Sequence, residues 1–314
     1  MFINKFINWK KISLIIEPKF TSKWMLSHTA VPFAMPVKQN IIRIFFCVRD
    51  KFNRSQIVDA LFNLDENKII RNIKKSPILT NGELGSFDEN GVTPSWIIEI
   101  KGKKYLYYVG WGSSKSTRMQ LFSGLAISQN NSQIFKKFSS APILERNGVD
   151  PFLTATLCIL KEKNIFRMWY VSGDKWLVRN NETYPKYNIK YAESKDGINW
   201  KRNGVVCIDY KNKKEYAIAR PSVIKIRDEY HMWYSYKEHE KEYNIGYAIS
   251  KNGLDWKRID KCFGLEKGKK GSWDSQMLAY PHVFLFKNNL FLLYNGNEYG
   301  RTGIGLAKLD QKII

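Results

Sequence analysis

The sequence predicts an all-β protein: a five-bladed β-propeller with four strands in each blade. Three observations lead to this prediction. A segment recurs about every 62 residues, strand-favouring residues are abundant, and amphipathic helical patterns are scarce. Aromatic residues make up 14% of the 314 residues, with 17 Tyr, 18 Phe and 10 Trp, and such residues fit the half-buried surface of a sheet. We expect residues 1–314 to form a single domain.

The recurring segment is clearest in the C-terminal half of the chain. YNIKYAESKDGINWKR (from Tyr187) and YNIGYAISKNGLDWKR (from Tyr243) are near copies. Looser copies are TGIGLAKLD (from Thr302), SGLAISQNNSQIFKK (from Ser123) and RSQIVDALFNLDEN (from Arg54). Most copies predict a short strand, a turn and an aromatic residue that leads the next strand.

A second shared pattern precedes each copy: an extended strand, a short turn and an aromatic-rich strand. Its alignment points lie 62, 62, 65 and 60 residues apart, at Pro32, Pro94, Thr156, Pro221 and Pro281. Five units with strands A to D make a propeller, but the last unit ends after its third strand. Residues 7–16, INWKKISLII, are similar to the fourth strands of other units. We therefore predict that this N-terminal strand, led by Trp9, completes the last blade and closes the ring.

The formal charge of +22 comes from 51 Lys+Arg against 29 Asp+Glu. Two interpretations stay open: attraction to anions, including acidic glycans, sugar phosphates or a membrane surface, or a coding bias that scatters lysine over the surface. No nucleic-acid-binding module with a basic stripe is recognisable, so nucleic acid is not a predicted partner. No apolar run reaches ~18 residues and no signal peptide is recognisable, so we expect a cytoplasmic protein without a transmembrane segment.

Candidate functional residues follow from the register of the repeat. In a propeller, the loops that lead into strand A and the loops between strands B and C lie on one face around the channel. Acids precede strand A in four units, and a histidine replaces them in the first: Asp88 with Glu89, Asp150, Glu215, Asp274, and His28. The loops between strands B and C, together with one position inside strand A, supply Arg49, Asp50, Trp111, Asp174, Trp176, His239, Asn297 and Arg220.

Such a face suits a sugar, because aromatic rings stack on pyranose C–H surfaces and carboxylates bind hydroxyls or transfer protons. We predict Asp88, Asp150 and Glu215 as catalytic residues and the others as substrate contacts. No contiguous calcium loop of the EF-hand type is present, and no cofactor is predicted. Calcium in the channel of the propeller remains an open alternative.

The A-x-S-x-[DN]-G-x-x-W element (AESKDGINW and AISKNGLDW), the five units and the acids before strand A resemble the five-bladed glycosidase superfamily, which includes glycoside hydrolase families 43, 32, 68, 62 and 130. The element is also similar to the Asp-box of the six-bladed sialidases. The resemblance implies that Asp88 is a base or nucleophile, Asp150 a transition-state stabiliser and Glu215 the acid. Two features depart from the family: His28 replaces its first acid, and the Glu-Asp-Pro-Arg element of its phosphorylases is missing.

Three function classes follow. The first is an enzyme that cleaves or transfers a glycosyl unit on an intracellular glycan or on an intermediate of surface-polysaccharide synthesis. The second is a non-catalytic propeller that binds a glycan or a protein on the same face. The third is charge-driven binding of nucleic acid or phospholipid, which would depend strongly on salt. The arrangement of the acids in three dimensions discriminates between the first two classes.

Overall fold

The computed structural model describes residues 7–20, 22–128 and 134–310. Within these ranges the chain forms twenty strands, one 3-10 turn (Asp260–Cys262) and one short helical segment, α1 (Asn297–Gly300). The all-β prediction is confirmed. No helix in the described part of the chain is long and apolar enough to cross a membrane.

The strands form five antiparallel groups of four, and a single parallel bridge between Tyr187 and Ala217 joins the third and fourth groups into one eight-stranded sheet. The first group is β2 (Ser27–Lys38), β3 (Ile41–Arg49), β4 (Ser55–Asn63) and β5 (Lys68–Arg71). The second is β6 (Val92–Ile100), β7 (Lys103–Gly112), β8 (Gln120–Ser128) and β9 (Phe135–Lys137). The third is β10 (Thr154–Glu162), β11 (Ile165–Arg179), β12 (Glu182–Ser194) and β13 (Lys201–Ile208). The fourth is β14 (Glu215–Ile226), β15 (Glu229–Glu238), β16 (Asn244–Ser250) and β17 (Lys257–Arg258). The last is β18 (Ala279–Phe286), β19 (Asn289–Asn295), β20 (Ile304–Leu309) and β1 (Trp9–Ile16).

The first strands of the groups contact one another in the order β2, β6, β10, β14, β18 and back to β2. A β-bulge interrupts each of these strands at or beside the residue that aligns the repeats: Pro32, Pro94, Thr156, Pro221 and Pro281. Proline has no N–H to donate, so a bulge accommodates it without the loss of a ladder hydrogen bond. The repeat in the sequence therefore corresponds to a repeat of backbone geometry.

The N-terminal strand β1 pairs antiparallel with β20, with Trp9 opposite Leu309 and Ile16 opposite Ile304. The Trp9 side chain is buried and packs edge-on against Trp233, with 6.0 Å between the ring centroids. This pairing covers the edge of β20, whose N–H and C=O groups would otherwise be unpaired.

The repeated S-K-[DN]-G turn ties neighbouring groups together. Gly197 has φ +76°, which favours glycine, and its N–H donates to Ser194 Oγ at 2.9 Å. The Tyr107 hydroxyl in the preceding group donates to the Gly197 carbonyl oxygen at 2.7 Å. One group later, Trp169 Nε1 donates to the carbonyl oxygen of Gly253 at 2.8 Å. The recurring motif therefore has a structural reason, independent of any ligand.

Candidate functional site

Asp150, a predicted catalytic acid, is fully buried within its own strand group. Its carboxylate accepts hydrogen bonds from Tyr170 Oη at 2.9 Å and Ser172 Oγ at 2.6 Å. It also pairs with Arg202 Nη1 at 2.9 Å and Lys190 Nζ at 3.3 Å. The second, third and fourth strands of the third group thus all hold this carboxylate, with two cations to balance its charge.

Two more acids repeat this arrangement in other groups. Asp88 accepts from Tyr108 Oη at 3.0 Å and pairs with Lys137 on the last strand of its group. The Tyr294 hydroxyl donates to Asp274 at 3.1 Å. Lys11 of β1 pairs with the same carboxylate at 2.6 Å. Each carboxylate connects the loop before the first strand to the second and last strands of the same group.

Glu215 is held in a similar way by side chains of its own group. Arg258 binds both of its carboxylate oxygens, at 2.7 and 2.9 Å, and also contacts Asp260 at 2.9 Å. The hydroxyl of Tyr234, which occupies the tyrosine position of the repeat, donates to Asp260. The first group lacks the acid, and Phe46 stands at the tyrosine position. Acid and tyrosine are thus present together or missing together, which indicates a structural role.

No hydrogen bond or ion pair connects Asp88, Asp150 and Glu215 to one another in the part of the chain that the structure describes. Each is at most 2% exposed and points into its own group. Their assignment as catalytic residues remains a prediction, and the contacts offer a competing explanation for their presence. We call each set of acid, tyrosine and cation an acid lock.

A cluster of five tyrosines is formed by residues near the start of first strands, within or just before third strands, and in α1: Tyr187, Tyr216, Tyr243, Tyr280 and Tyr299. We call this cluster the tyrosine floor. The Tyr187 and Tyr243 hydroxyls hydrogen-bond to each other. The Tyr243 ring lies 5.8 Å from that of Tyr280 and 6.1 Å from that of Tyr299. Lys237 Nζ donates to Tyr299 Oη at 2.7 Å.

Burial keeps four of the phenols of the floor neutral. It raises the pKa of Tyr187, Tyr216, Tyr243 and Tyr280 above the usual value for tyrosine. Neutral hydroxyls both donate and accept hydrogen bonds, as the hydroxyls of a sugar require. Four of the five rings keep partial exposure to solvent, so the floor offers aromatic faces together with hydroxyl groups.

Several predicted contact residues border this floor. Trp111 and Trp176 pack in the same apolar cluster as Tyr187. His239 stacks on Tyr216 with 4.6 Å between ring centroids. His28, which has φ +59°, lies in β2, and burial together with Arg49 and Arg301 lowers its pKa to about 4. The structure thus brings these sequence candidates to one face.

Other predicted contact residues use their polar atoms for hydrogen bonds and ion pairs within the protein. Asp50 accepts from the N–H groups of Phe52 and Arg54 at 2.8 and 2.9 Å and closes the turn between β3 and β4. Asn297 is buried and accepts from the N–H of Gln276 at 2.8 Å. Asp274 belongs to an acid lock. These side chains are not available to a sugar on the tyrosine floor, because their polar atoms are used within the protein.

Arg220, a predicted substrate contact, is fully buried. Its guanidinium donates to the carbonyl oxygens of Ser95 and of Pro32, the latter at 2.7 Å, and so joins three strand groups. Burial lowers its pKa to about 10. A buried guanidinium between three strand groups also repels a cation, which disfavours calcium beside it.

The last two candidates are partly or largely exposed. Asp174 is exposed and lies 3.8 Å from Lys186 Nζ. Glu89 accepts from the N–H of Gly85 at 2.8 Å, and backbone hydrogen bonds lower its pKa. Across residues 7–20, 22–128 and 134–310, no three His, Cys, Asp or Glu side chains are grouped to hold a metal ion.

Sequence reasoning missed the tyrosine floor and Arg118, whose charge acts on Tyr187. A signal was present: Tyr187 and Tyr243 are the first residues of the two near-identical repeat segments. The repeat predicts where the strands lie, but it does not show that these two tyrosines meet in space.

Two proteins from two strains of Mycobacterium tuberculosis, both described as uncharacterized, are 34% identical to the chain over 302 residues. The match covers 96% of this chain and 99% of each relative. A 1,2-beta-oligomannan phosphorylase of a Thermoanaerobacter species is 28% identical over 131 residues, 39% of this chain and 43% of that protein. No protein-family model matches the chain.

The solved structures most similar in fold include glycoside hydrolases. One, a glycoside hydrolase, has a TM-score of 0.74 at 16% identity and covers 96% of this chain and 92% of its own. A thermostable family-43 glycoside hydrolase has a TM-score of 0.64 at 17% identity, with 91% of both chains covered. At such identities the likeness shows the fold, and in fold the chain resembles the glycosidase superfamily as predicted.

Proposed function

The chain belongs to the same family as the two Mycobacterium tuberculosis proteins, and from this premise and its fold we propose that it is a carbohydrate-active enzyme of the glycoside hydrolase type that binds its glycan on the tyrosine floor. The relatives carry no described activity. The argument therefore rests on the residues of this chain and on the glycosidase fold.

The proposal includes the finer architecture: one domain, five blades and a ring closed by β1. The cyclic contacts of the first strands and the pairing of β1 with β20 support it. In this arrangement the tyrosine floor lies on one face, over the centre of the ring. A ligand there would contact residues from several blades at once, which is where propellers of this kind hold their ligands.

The observation that carries the proposal is the combination of rings and hydroxyls on the floor. Partly exposed tyrosine rings, with Trp111 and Trp176 beside them, provide apolar faces for the C–H surface of a pyranose. The neutral phenols and the Lys237 ammonium provide hydrogen bonds at the edges of the same surface. Few ligands other than sugars match flat apolar faces and closely spaced hydroxyls together.

Cleavage or transfer of a glycosyl unit requires one carboxyl group that protonates the leaving oxygen and a second that activates water or attacks the anomeric carbon. Asp88, Asp150 and Glu215 would fill these roles only if a bound glycan released them from their locks. A specific observation favours a second candidate function, glycan binding without catalysis: all three carboxylates are already balanced by cations of their own groups.

A screen of oligosaccharide binding and turnover tests the proposal, with β-1,2-mannobiose plus phosphate among the reactions because of the phosphorylase relative. We expect Tyr216→Ala to weaken glycan binding roughly three- to tenfold through the loss of one aromatic face. Tyr105→Ala serves as the matched control. Tyr105 is a partly buried tyrosine near one end of β7, whereas Trp111, which borders the floor, lies near the other end.

The outcomes separate the two candidates. Turnover that disappears in a folded Asp150→Asn variant supports the enzyme and its predicted acid. Binding without turnover for every sugar supports the non-catalytic alternative. The proposal fails if no sugar binds, or if Tyr216→Ala and Tyr105→Ala have the same effect.

A further inference from the structure

Four cations from four strand groups surround the tyrosine floor: Arg49, Arg118, Lys237 and Arg301. We call them the cation rim. Arg49 ends β3, and Arg118 lies in the loop between β7 and β8. Lys237 lies in β15, and Arg301 directly follows α1. The rim thus has contributions from the first, second, fourth and last groups, around tyrosines of the third, fourth and last.

Three of the rim cations, Lys237, Arg49 and Arg118, are close enough to the floor to act on its tyrosines, and Arg301 acts on His28. Lys237 Nζ lies 5.6 Å from the ring centroid of Tyr243 and 5.2 Å from that of Tyr299. The positive charge of Arg49 opposes the upward shift of the pKa of Tyr280, as Arg118 does for Tyr187. The charges therefore border the floor and are not spread at random over the surface.

The positive charges of Arg49 and Arg301 both act on His28, at the corner between the first and last groups. Ser27, the neighbour of His28, pairs with Arg49 across β2 and β3. Segment α1 packs on β2, so that a Cβ on Gly300 would lie 2.6 Å from the carbonyl oxygen of Thr29. His28 carries no charge at neutral pH, so it can supply a hydrogen bond between two guanidinium groups.

The positive charge of the rim is poorly balanced. In the described ranges Arg49 and Arg118 have no carboxylate within ion-pair distance, and Arg49 Nη1 donates only to Asn53 Oδ1, at 2.9 Å. Lys237 and Arg301 do have partners, but the acid side chains, Glu242 and Glu298, are 44% and 60% exposed. Exposed pairs of this kind are weak, and an incoming anion can replace the acid.

The acid locks cannot compensate the rim either, because each lock carboxylate already pairs with a cation of its own group. We infer that the glycan bound on the floor carries a carboxylate or phosphate ester, which the Arg49–His28–Arg301 corner holds while the tyrosines hold the sugar ring. This inference rests on the proposed function and adds the chemical class of the ligand.

Calorimetric titration with matched pairs of ligands tests the inference: oligogalacturonate against its methyl ester, and glucose 6-phosphate against glucose, with inorganic phosphate as a separate ligand. We expect the charged member of at least one pair to bind tenfold or more tightly, and the pair that responds identifies the anion. Its advantage should shrink as the salt concentration rises.

Substitutions of single cations test which side chain binds the anionic group of the ligand. Arg49→Gln should weaken binding of the charged ligand at least fivefold more than binding of the neutral partner. Lys201→Gln, an exposed cation of β13 away from the rim, should change neither. Equal loss for charged and neutral ligands would mean that Arg49 supports the fold of the face, which a thermal melt reveals, and would overturn the inference.

Two further results also decide the question. If neutral and charged sugars bind equally well, the inference is wrong while the proposed function stands. If no sugar binds at all, the proposed function itself fails. Binding of inorganic phosphate with no added affinity for its sugar ester would place the anion outside the glycan and overturn the inference.

Discussion

Asp150→Asn gives the sharpest test of whether the acid locks serve the fold. The substitution keeps the size of the side chain and an acceptor for Tyr170 and Ser172, but it removes the charge that balances Arg202 and Lys190. These cations are only 9% and 12% exposed. Removing one partner of a buried ion pair costs about 3–5 kcal/mol, and we take about 3 kcal/mol because the hydrogen bonds survive in part.

The expected shift in melting temperature follows from the size of the chain. At about 2.1 cal/mol/K per residue, 314 residues unfold with an entropy of roughly 0.66 kcal/mol/K, so a loss of about 3 kcal/mol lowers Tm by about 5 °C. Thermal melts followed by circular dichroism or calorimetry measure this directly. Asp174→Asn, an exposed aspartate, is the control and should shift Tm by about 1 °C or less.

A double-mutant cycle with Arg202→Met isolates the lock, and we expect a coupling of about 1–3 kcal/mol between the two positions. An Asp150→Asn variant that is as stable as the native protein, or more stable, would refute the reasoning. That result is typical of a strained catalytic acid and would return Asp150 to the catalytic assignment.

The remaining predictions concern the other locks, the corner histidine and the repeated turn. Asp274→Asn should cost less than Asp150→Asn in the same melts, because its cation, Lys11, is 34% exposed; an equal cost would contradict the screening argument. Tyr108→Phe should destabilise by about 1 kcal/mol in denaturant titrations, and the reverse change, Phe46→Tyr, should also destabilise because it buries a hydroxyl where no acid accepts it. The pKa of His28, read from its NMR ring signals, should be about 4 and rise in Arg301→Gln. Since the unfolded histidine binds more protons between pH 4 and 6.5, the neutral ring contributes stability that is fully present above pH 6.5 and declines as the pH falls toward 4; a titration near 6.5 would contradict this. Gly253→Ala should cost 1 kcal/mol or more, because φ is +75° and a Cβ would lie 3.0 Å from Trp169, whereas Gly148→Ala, with open space around it, is the control.

Much of the architecture could be predicted from the sequence because the strands and turns of each repeat unit are encoded within that unit. Each unit must form its own strands and turns, so the alternating segments and the prolines recur at nearly fixed intervals, and the positions aligned by Pro32 and Pro94 coincide with the bulges of the first strands. The N-terminal strand could be placed in the same way, because the last unit lacked a fourth strand. The repeat also placed His28, Arg49, Trp111 and Trp176 around one face.

The repeat in the sequence could not show which way the carboxylate side chains point. Asp88 and Asp150 stand at the predicted repeat position, but each of their partners comes from another strand, up to 52 residues away for Arg202. Sequence spacing places a residue in a loop and leaves open whether its carboxylate turns outward or into the blade. The tyrosine at the second strand, and its replacement by Phe46 in the one unit without an acid, were visible in the sequence, but only the fold shows that acid and tyrosine touch.

The sequence by itself thus determined the all-β class, the repeat and the face that presents its loops, since these follow from local strand patterns and their spacing. Only the tertiary structure decided which polar groups are used up within the fold and which remain on the face. A nearby cation offsets the cost of burying a carboxylate, and Arg202, Arg258 and Lys137 provide this for the acids inside the groups. The phenols of Tyr187, Tyr216 and Tyr280 need no counter-charge and can be partly buried in the floor without one.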